Sequence, residues 1–166
     1  MGKDDNSLRE AIAGESASIH DLGKGIVAGI IATAAAATIL AGKGLFGVMP
    51  NFDVIGMLTA VAGSTWPGLG WIVFFGGGGI VWGVVFALLD ARVEATTGAG
   101  ELARGLFFGF LLWLVVMLMF MPVMGAGAFG MKFGVGAPIV CLVADLIYGL
   151  VLGAVYGAMH PETVMT

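Results

Sequence analysis

Four apolar stretches constrain this chain more than anything else in it. They run from Gly25 to about Gly47, from about Trp71 to Leu89, from Gly105 to about Gly125 and from Ala137 to about Met159. Each is close to the roughly 20 residues that carry an α-helix across a bilayer. Lipid offers the backbone no hydrogen-bond partners, so helices are expected rather than open strands. Composition closes off the soluble alternatives. Hydrophobic residues make up 59% of the chain and charged residues 11%, with a mean hydropathy of +1.03. A soluble domain carries about 25% charged residues. A soluble enzyme, a nucleic-acid binder and a disordered tail are therefore excluded. The expected fold is all-α: an integral membrane four-helix bundle, with the lipid bilayer as its first partner and no nucleic acid.

Four spans place both termini on one side. Lys3, Arg9, Lys24, Arg92 and Arg104 fall on that side, against Lys43 and Lys132 on the other. The positive-inside rule then puts the termini and the 90–104 link in the cytoplasm. The reading divides the chain into a cytoplasmic leader (1–23), a four-span domain (24–160) and a short tail (161–166). The leader is too acidic for a signal peptide, and Ser7-Leu-Arg-Glu10 reads as the capping box of a short helix. The net charge of −4 describes that solvated leader rather than a binding field.

Between spans one and two, Asn51 is expected to cap a helix reaching Ala62. It is too short to cross, so it reads as a re-entrant or interfacial helix on the outer face. Trp66-Pro67-Gly68 would end it, with Trp66 and Trp71 at headgroup level. The chain also echoes itself. Lys24-Gly25-x-x-x-Gly29 opens span one and Arg104-Gly105-x-x-x-Gly109 opens span three, while Trp82-Gly83 is answered by Tyr148-Gly149. The echo suggests two helical hairpins repeated in the same direction.

The 29 glycines are positional. Gly149, Gly153 and Gly157 recur every fourth residue in span four. Gly79–Gly83 and Gly105–Gly109 do the same in spans two and three. Small residues at this spacing let helix backbones approach closely. Packing among the four spans is the favoured use, with docking to another membrane subunit or to a second copy as the functional one. Gly76 to Gly79 form an unbroken run, expected to unwind locally or to receive a bulky side chain.

Asp145 is the acid set deepest, where a charge is expensive and needs a partner. Cys141 and Tyr148 share its helix face. Lys43 lies at a comparable depth, so an intramembrane polar set of Asp145, Lys43 and Tyr148 is expected, as an interhelical pin or as part of an ion relay. Asp90 is expected to pair with a nearby base. Met117, Met121 and Met124 lie on one face of span three and, with Cys141, are the weak candidates for a soft metal such as Cu(I). Core filling is the plainer role for these thioethers. No metal or cofactor is expected, and no catalytic triad or zinc motif is present in the sequence.

Trp113-x-x-x-Met117, Met121-Pro122, Gly125-Ala126-Gly127-x-Phe129 and Leu146-x-Tyr148-Gly149-x-x-Leu152-Gly153-x-x-Tyr156 resemble a family of small bacterial four-span inner-membrane proteins of unknown function. Lys24-Gly25, Pro50-x-x-Asp53 and Gly70-Trp71 extend the resemblance to residues 24–158. It implies four spans and a bacterial membrane. In that family a histidine often stands where this chain has Asp145, a departure that weakens any metal or haem inference there. The expected function is that of a non-catalytic accessory or scaffolding subunit packing against a larger membrane complex, respiratory or photosynthetic. The alternatives are a small oligomeric transporter or channel using Asp145, Lys43 and Tyr148, and a copper- or haem-handling protein.

Overall fold

The structure is a computed structural model. It describes residues 3–45, 49, 51–91 and 98–159, with side chains described from 19 to 42, at 49, from 51 to 91 and from 100 to 159. The chain forms α1 (Lys3–Leu45), α2 (Val54–Val61), α3 (Pro67–Phe75), a π-helical segment (Gly76–Val81) and α4 (Trp82–Asp90). It continues through α5 (Gly98–Val115), a second π segment (Val116–Phe120), α6 (Met121–Val123), a 3₁₀ turn (Ala128–Phe133) and α7 (Gly136–Ala158). Four stretches are long and apolar enough to cross a membrane: Ile19–Gly42, Pro67–Asp90, Gly100–Val123 and Gly136–Ala158. The protein is an all-helical, four-span membrane protein.

Three local expectations are corrected. The first concerns Ser7, which lies inside α1 rather than at the start of a short separate helix. Once a span is helical, extending it costs no new nucleation; the leader contains no proline, so the helix runs on through it. Second, the short helix between spans one and two is capped by Asp53 rather than Asn51. The Gly56 amide donates to the Asp53 carboxylate at 3.0 Å, and only eight residues of α2 follow. Third, span two starts at Pro67, earlier than the expected Trp71. Proline suits the first turn of a helix because its φ is preset and its missing N–H had no partner there. Trp66-Pro67-Gly68 therefore opens a span and does not end the helix before it, since α2 already stops at Val61, ahead of Gly63 with its positive φ.

The echo corresponds to two hairpins built alike. In the first, α1 crosses span two at glycines: a Cβ on Gly25 would strike the Gly83 carbonyl oxygen, and one on Gly29 would strike that of Gly79. In the second, a Cβ on Gly105 would strike the Gly149 carbonyl oxygen, and one on Gly109 that of Asp145. Gly153 and Gly157 of α7 pack against Glu101 of α5. An ion pair marks the start of each hairpin, Lys24 to Asp21 at 3.3 Å and Arg104 to Glu101 at 3.4 Å, both at i,i+3. Asp/Glu-x-x-Lys/Arg-Gly-x-x-x-Gly is thus the fuller form of the repeat.

The hairpins join along α1 and α7. Ala28, Ala32 and Ala36 of α1 are buried in one cluster with Ala144, Tyr148 and Leu152 of α7. Spans two and three stand further apart, and aromatic rings fill the gap near the leader end. Phe108 lies edge-on to Phe86 at 5.2 Å and to Trp82 at 6.3 Å, and Phe86 meets Tyr156 at 5.3 Å. Such pairs contribute beyond the area they bury. At the same end, Arg104 of α5 reaches Asp90 of α4 at 2.7 Å, the partner expected for Asp90.

Candidate functional site

The aromatic filling reaches Trp82, which also lines a cavity of about 310 Å³. Its position follows from the two π segments. A π turn inserts a residue into the helical ladder and shifts the backbone groups around it. Gly76 to Gly79 allow this in span two. Gly77 and Gly78 line the cavity from that side; Val116 and Phe120 of the second π segment line it from span three. A Cβ on Gly78 would come within 2.7 Å of the Thr33 hydroxyl, so the run of glycines combines unwinding with close approach.

The polar groups of the cavity come from α1 and α7. The Thr33 hydroxyl donates to the Gly29 carbonyl at 2.8 Å, within its own helix. The Tyr148 hydroxyl crosses the bundle and donates to the Gly78 carbonyl at 2.6 Å. Cys141, Asp145 and Tyr148 all face this space, as their helical spacing implied. Among the described residues, no hydrogen bond or ion pair engages the Asp145 carboxylate. The Lys43 side chain lies outside the described residues, and so does the expected Asp145–Lys43 pair.

The Tyr148 hydrogen bond ties hairpin two to the π segment of hairpin one. Tyr148→Phe is expected to cost about 1–2 kcal/mol, the usual penalty for leaving a buried carbonyl without its donor. Thermal unfolding in detergent should record this loss, with faster amide exchange confined to residues 76–81.

Towards the α2 end, Met117, Met121 and Cys141 are buried in one cluster with Phe52, and Met49, Met57 and Met124 pack against it. The thioethers singled out in span three thus do gather near Cys141. Among the described residues, no group of three His, Cys, Asp or Glu side chains could hold a metal ion. A larger groove of about 510 Å³ lies beside α2, and it shares Leu40, Val54 and Phe74 with the inner cavity. Asp53, Thr59, Ser64 and Thr65 give it a polar rim.

Sequence reasoning singled out Asp145, Tyr148 and Cys141 and anticipated local unwinding at Gly76 to Gly79, where the first π segment begins, but missed Thr33, the π segment of span three and the cavity. Thr33 stands among alanines, one of two hydroxyls with Thr38 in a run of small residues, and that contrast was the available signal. A bundle of two like hairpins, enclosing an apolar cavity with a single carboxylate, defines a small polytopic membrane protein. The chain belongs to the family of unknown function DUF6789, which it matches over residues 19–165. No curated protein and no solved structure matches it.

Proposed function

We propose that this protein is a small membrane carrier or channel that binds cationic solutes in the cavity at Asp145. The reading is non-catalytic and places both termini in the cytoplasm of a bacterial inner membrane. One observation carries it: the Asp145 carboxylate faces a cavity at membrane depth and is engaged by none of the described side chains. Ionisable groups at such depth are costly and mark solute or ion paths. The groove that shares a wall with the cavity provides a route from the α2 end, and the Phe86–Phe108–Tyr156 aromatics with the Arg104–Asp90 pair seal the other end. Same-direction internal repeats recur among transporters.

The test is flux in liposomes. With an imposed inside-negative potential, protein-containing vesicles are expected to take up protons or tetramethylammonium faster than empty ones, reported by an entrapped pH dye and by radiolabel. Asp145→Asn should return the rate to background with assembly intact. Equal flux for the two proteins, or a wild-type rate equal to that of empty vesicles, would overturn the proposal. The accessory-subunit reading draws on the exposed Trp66 and Trp71 near α2. The glycine faces on which it also drew are occupied within the hairpins. Co-migration of one stoichiometric membrane partner after gentle extraction would favour it.

A further inference from the structure

We infer that the ligand class of the Asp145 cavity is a lipophilic ammonium ion that enters sideways from the bilayer, between spans two and three. The inference rests on the cavity's being a solute site and deepens that reading. Its first support is chemical. Apart from Asp145, Tyr148, Thr33 and Cys141, the walls are aliphatic, aromatic or thioether groups and glycine. The Tyr148 and Thr33 protons are already donated to backbone carbonyls. A small hydrated metal cation would need several oxygen ligands at once. Here one carboxylate shares an otherwise apolar space with Phe74 and Trp82. That arrangement suits a single positive charge carried on a hydrocarbon body, with aromatic faces adding cation–π attraction.

The second support is geometric. Val73, Val81 and Phe120 line the cavity, yet they are 39%, 55% and 42% exposed. All three lie in the membrane-spanning stretches, so the exposed side faces hydrocarbon. The cavity wall between spans two and three is therefore lipid-facing, and these are the spans that stand apart. A ligand dissolved in the bilayer reaches Asp145 by that gap without crossing the polar rim near α2. The volume of about 310 Å³ fits a phenylalkyl amine and falls at the small end of the usual ligand-pocket range of about 300–1,000 Å³.

The experiment compares 4-phenylbutylammonium with the uncharged 4-phenylbutanol on the full chain in nanodiscs. Binding is read by the protein-specific shift in thermal unfolding, because a ligand that prefers the folded state raises its stability. The ammonium ion is expected to bind at least tenfold tighter than the alcohol, with Asp145→Asn removing that difference. Gly77→Leu adds a side chain at a cavity-lining position where a Cβ meets nothing within 4 Å, and it should weaken both probes while leaving the acid in place. Equal binding of the two probes would mean that the cavity simply accepts hydrocarbon, as a lipid tail would supply, and would overturn the inference. So would an ammonium preference that survives in Asp145→Asn. If that variant does not fold, undiminished ammonium binding by Gly77→Leu overturns the inference by itself. Asp145-dependent proton or tetramethylammonium flux without 4-phenylbutylammonium binding would reject this ligand class and leave the carrier reading standing. Ammonium binding without any flux would do the reverse.

Discussion

Gly105→Ala is expected to destabilise the folded bundle by about 1–3 kcal/mol, the usual range for an added methyl group in a packed interface. The added Cβ would run into the Gly149 carbonyl oxygen and come within 2.8 Å of the Gly153 Cα. Both are backbone atoms of a long helix, so neither can turn aside as a side chain could. The two helices must move apart, and the contacts along α5 and α7 are lost together. Gly29→Ala should behave alike, because its Cβ meets the Gly79 carbonyl in the first hairpin. The two sites belong to separate interfaces, so their costs should add in the double variant. Leucine at either position is expected to prevent the hairpin from closing. Gly23→Ala is the control: nothing lies within 4 Å of a Cβ there, and alanine favours the helix by about 1 kcal/mol. Thermal unfolding in detergent should separate the three proteins. A Gly105→Ala variant as stable as the wild type would contradict the backbone-to-backbone crossing.

The glycine result bears on how much the sequence made legible. Hydropathy alone located the four spans, because lipid leaves so few alternatives to a helix of bilayer length. Span ends were less readable. Pro67 acts as a breaker or an initiator according to which side of it is helical, and Asn51 and Asp53 are both competent caps. The repeat was visible in Lys24-Gly25 and Arg104-Gly105, yet the acids preceding each base gained meaning only when their ion pairs appeared. For the site, helical spacing placed Cys141, Asp145 and Tyr148 on one face. The partner of Tyr148 across the bundle is a backbone carbonyl at Gly78, exposed by a π turn. Any residue carries a carbonyl, so no side-chain pattern announces one that accepts a bond. Thr33 likewise satisfies itself within its own helix and gives no sign of the cavity it lines.

Arg104→Ala is expected to be as damaging as the glycine changes, for a different reason. The guanidinium holds Asp90 of span two at 2.7 Å and Glu101 of its own helix at 3.4 Å. The acid side chains are about 14% exposed and that of the arginine 18%, so water screens the group only weakly. Removing one member of a largely buried charge set costs about 3–5 kcal/mol, chiefly because the acids it leaves behind lose their counter-charge. The expected outcome is a loss of about 3 kcal/mol, at the low end because the site sits at a span end within reach of water. Arg104→Lys should recover part of it, since a single ammonium keeps the charge but not the planar fork that reaches two carboxylates. Asp90→Asn in the Arg104→Ala background should also recover stability, because it removes one of the stranded charges. Full stability in Arg104→Ala would show that the pair contributes nothing to closing the leader end. Under the proposed carrier function the same variants carry a functional expectation, with Asp90 and Arg104 as the polar part of a seal below the aromatic rings. In liposomes, Arg104→Lys should raise Asp145-dependent flux, because the seal is loosened while the cavity is left as it was. A rate at or below that of the wild type would place the barrier to passage at the Phe86–Phe108–Tyr156 cluster instead.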